Sequence, residues 1–124
     1  LASGTSLIEN PLESMDTQAA FQAVQQFGAR IDTKTADSTN RYRITGLDNR
    51  IEPPDNVIDV MNSGTSLYIL LSVAALTKGY TVITGDSSIR SRPCESLLSA
   101  LTELGATAFS TRESPLSVSP ASIR

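Results

Sequence analysis

The sequence predicts an α/β (α+β) chain in which helices pack on one face of a mixed sheet. Three observations carry that expectation: a strand–turn–helix–glycine unit occurs twice, each helical segment carries an apolar stripe, and short strands flank each helix. Gly4-Thr5-Ser6-Leu7-Ile8 lies over Gly79-Tyr80-Thr81-Val82-Ile83. Ala23 lies over Ala100, and Phe27-Gly28-Ala29 over Leu104-Gly105-Ala106.

The elements follow in order. Leu1-Ala2-Ser3 reads as the end of a helix, by analogy with "AALTK" before Gly79, and a strand follows Gly4. Ala19, Ala20, Ala23, Val24 and Phe27 form one helical stripe, with Asp16 or Thr17 available as cap and Gly28 as the left-handed stop. "ARIDTK" and "RYRITG" read as a hairpin joined by a polar loop over residues 35–40, and Pro53-Pro54 marks an irregular link to the strand "NVIDV". The next helix, from about residue 65 to 78, is apolar nearly all round, which predicts burial between layers. After a strand over Thr81–Thr84, Pro93 suits a first helical turn, with Leu97, Leu98, Leu101 and Leu104 as the stripe and Gly105 as the stop. The strands "TAFS" and "LSVSP" close the chain.

The order is thus β-α-β-β, β-α, β-α-β-β. Residues 4–47 are read as a first repeat copy, 48–78 as a strand plus buried helix, and 79–124 as a second, incomplete copy. Together they make a single partial lobe over residues 1–124, about one and a half units of a longer series.

Composition removes whole classes of function. With 124 residues, 40% hydrophobic and 19% charged, the chain suits one domain with a modest core. No apolar run is long enough to cross a bilayer, because the longest, residues 67–76, is broken by Ser72. No basic, apolar leader is visible, and because the first residue is Leu1 rather than methionine a processed or excised chain is expected. A single cysteine, Cys94, rules out an internal disulfide, and the lack of histidine rules out a Cys/His zinc site and a Ser-His-Asp triad. A net charge of −3 and a pI near 4.8 argue against a general nucleic-acid surface. No cofactor, metal, nucleic acid or membrane partner is expected.

Two turns stand out. Asn62-Ser63-Gly64-Thr65 opens a helix, so free backbone N–H groups point outward and Gly64 lets an anion approach the main chain. The bland alternative is that Asn62 or Thr65 merely caps the helix. Arg90 and Arg92 follow the strand over Thr81–Thr84, and arginine is suited to clamping carboxylate or phosphate. In a parallel β-α-β arrangement the loops after successive strands emerge at one sheet edge, which makes these two turns neighbours. Of the other candidates, Asp16 is better read as a helix cap, and Glu9 and Glu13 as solvent-facing. Cys94 falls in a first helical turn, where the dipole lowers a thiol pKa, although a packing role is the commoner one. No acid–base pair stands out.

The turn "NSGTSLYILLSVAAL", with "TVITGDSSIRSRP", "LLSALTELGA" and "NPLESMDTQAAFQAVQQFGA", resembles the 5-enolpyruvylshikimate-3-phosphate synthase family, the 3-phosphoshikimate 1-carboxyvinyltransferases. The resemblance covers nearly the whole chain in order. It implies a transferase of the shikimate pathway, serving aromatic amino acid biosynthesis in the cytoplasm. Such an enzyme moves the enolpyruvyl group of phosphoenolpyruvate to the 5-hydroxyl of shikimate 3-phosphate, in a cleft between two lobes built from βαβαββ units. It further implies that Gly64 and Arg92 contact phosphoenolpyruvate. Asn62, Thr65 and Arg90 lie in the same motifs, and the remainder of the parent chain is a required partner.

The chain departs from the family pattern at two places: Tyr68 stands where an arginine is usual, and Glu95-Ser96 where a Gly-Pro pair is usual. Both make the neighbourhood less positive. Because the early Lys-Ser segment and the second lobe are not in this sequence, the chain is expected to be inactive alone. The alternatives are a fragment of the sister UDP-N-acetylglucosamine enolpyruvyl transferase and a non-catalytic repeat module used for association. An RNA-processing relative of similar repeat fold is disfavoured by the acidic balance.

Overall fold

The structure, a computed structural model, describes residues 1–36, 39–110 and 116–119. Its order is β1 (Thr5–Glu9), α1 (Met15–Gln26), β2 (Arg30–Ala36), β3 (Thr39–Thr45), β4 (Ile58–Asp59), α2 (Gly64–Ala74), β5 (Thr81–Thr84), α3 (Ser87–Arg90), α4 (Glu95–Glu103), β6 (Thr107–Phe109) and β7 (Leu116–Ser119).

The strands form two sheets. One is antiparallel in the order β1-β3-β2; the other is mixed, in the order β4-β5-β7-β6, with β4 parallel to β5. In both, the last strand of a strand–helix–strand–strand run is inserted between the first two, β3 between β1 and β2, and β7 between β5 and β6. The first two strands of each run therefore share a direction without touching.

Both long amphipathic helices stop in the same way. The N–H of Ala29 donates to Val24 O (3.0 Å) and that of Gly28 to Gln25 O (2.9 Å); the N–H of Ala106 donates to Leu101 O (2.9 Å) and that of Gly105 to Thr102 O (3.0 Å). With φ of 101° at Gly28 and 98° at Gly105, each glycine takes the left-handed conformation that this paired closure needs.

The helix starts differ from the reading of the sequence. Ser14 caps α1, its Oγ accepting from Thr17 N–H (3.3 Å) while Thr17 Oγ1 accepts from Ser14 N–H (3.0 Å). Thr17 thus completes the cap from inside the helix, and Asp16 is free to serve the positive end of the dipole. α4 begins after Cys94, so Pro93 precedes the cap rather than occupying the first turn. Residues 1–3 are not helical; instead the carbonyls of Leu1 and Ala2 accept from Asn49 and Asp48 (3.1 and 3.2 Å). The strands β2 and β3 run on to Ala36 and from Thr39, so the expected six-residue loop is mostly strand, with its tip at 37–38 outside the described residues. Pro120 of the expected last strand also lies outside them.

The core runs from α1 through β4 and α2 to β5 and α4. Ala23 and Phe27 meet Ile58, Val60, Leu67, Leu70, Leu71, Ile83, Ile89, Leu98 and Leu101 in one buried cluster. Burial of α2 is one-sided, contrary to the all-round burial its composition suggests: Leu67, Leu71 and Ala74 are fully buried, whereas Ile69 is 58% and Tyr68 37% exposed. An apolar hollow of about 260 Å³ lies between that uncovered face and the first sheet, lined by Ser6, Val24, Phe27, Ile44, Ile69 and Val73 among others.

Candidate functional site

The parallel pair β4–β5 fixes the site. Ile58 stands opposite Ile83 and Asp59 opposite Thr84, and the Val60 N–H extends the ladder by donating to Thr84 O (2.9 Å). Both chains leave the sheet at the same edge. There the Asp86 N–H donates to Met61 O (2.7 Å), and a side chain on Gly85 would stand 2.6 Å from that same carbonyl. Gly85 is small because the two loops touch.

Beyond Val60 the chain reverses through Met61, a non-glycine residue at φ 54°, whose N–H is held by Asp59 Oδ1 (2.8 Å). The reversal delivers Ser63, which caps α2: its Oγ accepts from Ser66 N–H (3.3 Å) and donates to Ser66 Oγ (2.9 Å). Ser63 is 3% exposed. Neither Asn62 nor Thr65 is the cap, so the bland reading of those two residues does not hold. Because Ser63 serves Ser66, the N–H groups of Gly64 and Thr65 remain without an intrahelical acceptor, at the positive end of an eleven-residue helix.

Arg92 lies on Gly64. A Cβ built there would stand 2.9 Å from the Arg92 Cζ and 3.5 Å from its Nε, and closer still to Nη1. The guanidinium therefore occupies the space that any other residue at position 64 would fill. Arg92 is exposed to solvent, and its own N–H is anchored on Ile89 O (3.0 Å). The arrangement puts a planar cation beside two main-chain amides that lack an intrahelical acceptor, groups whose chemistry suits a phosphate or carboxylate.

Arg90 sits differently. It ends α3, a single turn that sequence reading took for loop, and its Nη1 donates to the Gly85 carbonyl. The missed signal was Asp86, whose Oδ1 accepts from Ile89 N–H (2.9 Å) three residues on. Arg90 thus secures the β5 loop, while also lining, with Ser91, Arg92, Pro93, Glu95 and Ser110, a hollow of about 380 Å³. Asn62 and Thr65 are exposed on either side of Ser63-Gly64. Among the sequence-predicted residues, Gly64 and Arg92 are the pair in direct contact.

Three further groups matter. Tyr68 reaches from α2 to donate to Pro93 O (3.0 Å), a link no motif announced. Cys94 is buried, at 3% exposure; burial pushes its thiol up, Glu95 adds to that, and the Tyr68 hydroxyl and Arg92 only partly oppose it. The expected lowering by the helix dipole is overruled by desolvation, and Cys94 is a packing residue. Glu9 is drawn off to Arg41 (2.9 Å), and Glu13 accepts from Asn40 Nδ2.

Fold and site define an α/β module in which a helix N-terminus and an arginine from the next loop share one edge of a mixed sheet. The family model for EPSP synthase (3-phosphoshikimate 1-carboxyvinyltransferase) matches residues 1–123, and the chain belongs to that family. It is 49% identical over 107 residues to a 3-phosphoshikimate 1-carboxyvinyltransferase of Methanococcoides burtonii, covering 86% of this chain and 24% of that one. It is 50% identical over 110 residues to one from Methanothrix thermoacetophila, covering 89% and 25%. A solved EPSP synthase of Acinetobacter baumannii superposes with a TM-score of 0.83 at 29% identity, covering 97% of this chain and 27% of that one. The chain spans about a quarter of the length of these relatives.

Proposed function

We propose that this chain is part of an enzyme that transfers the enolpyruvyl group of phosphoenolpyruvate to the 5-hydroxyl of shikimate 3-phosphate, and that it supplies one wall of the phosphoenolpyruvate site. The observation that carries this reading is the seating of the Arg92 guanidinium on Gly64 at the start of α2. In this role the N–H groups of Gly64 and Thr65 and the Arg92 fork bind an anionic group of phosphoenolpyruvate. Asn62 flanks them, and Arg90 holds the loop that presents Arg92.

The reaction needs more than an anion cradle. A proton must reach the methylene carbon, a base must take the proton of the attacking hydroxyl, and cations must stabilise the departing phosphate. Arg92 and the α2 amides serve the last need only. The remaining groups belong to the rest of the longer protein, which is the partner this reading requires. It also implies a cytoplasmic location, with neither nucleic acid nor membrane as partner; among the described residues no helix is long and apolar enough to span a bilayer. The division into copies at 4–47 and 79–124, within one partial lobe, is part of the same reading and is supported by the shared strand order and helix closures.

The test is a titration of the isotopically labelled chain with phosphoenolpyruvate, followed by amide chemical shifts. Shifts confined to residues 62–66 and 90–92, abolished in Arg92→Ala, are expected, together with no turnover of phosphoenolpyruvate and shikimate 3-phosphate by the chain alone. Shifts elsewhere, or none at millimolar ligand, overturn the assignment of the site.

A further inference from the structure

Tyr68 stands one helical turn beyond Gly64, so both lie on the same side of α2. Its hydroxyl donates to the carbonyl of Pro93, the residue directly after Arg92, at 3.0 Å. That carbonyl lies outside the α4 ladder, which opens with Cys94 O accepting from Leu98 N–H (2.9 Å). The phenol therefore gives Pro93 O a partner that the helix does not supply. On the other side, the Arg92 N–H is bound to Ile89 O (3.0 Å) at the end of α3. Arg92 hangs between two backbone anchors, one on α3 and one on α2, while its guanidinium rests on Gly64.

We propose that Tyr68 is a positioning residue of the anion site: by fastening Pro93 to α2 it keeps the Arg92 guanidinium seated on Gly64. This rests on the reading of Gly64 and Arg92 as an anion cradle and extends it to a residue that acts through Arg92. Where the motif of the resembled family carries an arginine, this chain carries a neutral clamp. The consequence is a site with one fixed fork in place of two cations. Fixing the fork beforehand lowers the ordering cost that a long, exposed arginine otherwise incurs when a phosphate or carboxylate arrives.

Tyr68→Phe removes the hydroxyl and keeps the ring, on a residue already 37% exposed. Three measurements on the purified chain decide the matter: thermal unfolding, the nuclear Overhauser contact between Arg92 Nε–H and the Gly64 α-protons, and phosphoenolpyruvate affinity. The expected result is an unfolding midpoint changed by only a few degrees, loss of the Arg92–Gly64 contact, and affinity weakened about three- to tenfold. A variant that keeps the Arg92–Gly64 contact overturns the proposal. If the unaltered chain binds no phosphoenolpyruvate while the variant still loses the contact, the clamp stands and the anion reading falls.

Discussion

Arg92 and Gly64 are packed so closely that the guanidinium fills the volume where a side chain at position 64 would begin, its Cζ 2.9 Å from the ideal Cβ position. The loop after one strand is thereby brought against the start of the helix after its parallel neighbour, at the sheet edge.

Gly64→Ala tests that relation. The backbone at Gly64 is helical, so alanine is comfortable there, and unfolding in urea is expected to be unchanged or up to about 1 kcal/mol harder. The methyl must push the guanidinium aside, and phosphoenolpyruvate affinity is expected to fall about tenfold or more. A calorimetric titration showing equal affinity in the variant contradicts the contact.

Arg92→Lys separates charge from geometry. A lysine retains the positive charge but not the planar fork, so affinity for phosphoenolpyruvate is expected to drop by about one order of magnitude, and by up to two in Arg92→Ala. Because Arg92 is exposed, both variants are expected to unfold at the same denaturant concentration as the unaltered chain.

Tyr68→Arg exchanges the clamp hydroxyl for a second cation. Relative to Tyr68→Phe, which lacks the same hydroxyl, inorganic phosphate is expected to bind about three- to tenfold more tightly at low ionic strength, with most of the gain gone at roughly 0.5 M salt. A gain that ignores salt is inconsistent with an added charge as its cause.

Cys94 predicts an alkaline weakness. Its thiol is pushed up chiefly by burial, then by Glu95, so the folded chain holds the proton where the unfolded chain releases it. The resulting stability is complete below the ordinary thiol range and is lost as pH rises from that range through the raised value. Cys94→Ala is expected to flatten this alkaline limb in urea midpoints measured across pH, and thiol reagents are expected to label the folded chain slowly at neutral pH.

Gly28→Ala and Gly105→Ala place a side chain at φ near 100°. Each is expected to cost about 1–2 kcal/mol in urea unfolding without altering phosphoenolpyruvate affinity. An unchanged midpoint in either variant argues against the left-handed closure at that helix end.

What could be read from the residues had local causes. Glycine after an apolar stripe has few uses other than closing a helix, and both Gly28 and Gly105 do so. Gly64 and Arg92 meet because parallel neighbours must open their loops at one edge, a rule independent of side-chain detail. The family likeness was carried by motifs across the whole chain. Hidden features were those decided by competition among neighbours. Asn62, Ser63 and Thr65 can all cap a helix, and only the reversal at Met61 selects Ser63. Cys94 sits at a dipole that favours thiolate, but its burial was not visible along the chain. Tyr68 looked like a lost charge because its partner, the Pro93 carbonyl, is twenty-five residues away and belongs to the backbone. The hydropathy of α2 reports what the helix can bury, and Ile69 exceeds what these described residues cover.

The inserted position of β3 sets an order of assembly. β2 and β3 are adjacent along the chain and can zip as a hairpin on a timescale of about 1–10 μs. β1 finds its only described partner in β3, pairing Thr5 with Thr45 across the whole of α1 and β2. It therefore cannot join until the strand some forty residues later has been made, and on a ribosome it waits unpaired while the rest emerges. Leu7 and Ile8 spend that interval without a sheet, which makes β1 the last strand of this sheet to gain protection in pulsed hydrogen exchange and the segment of it most open to a chaperone.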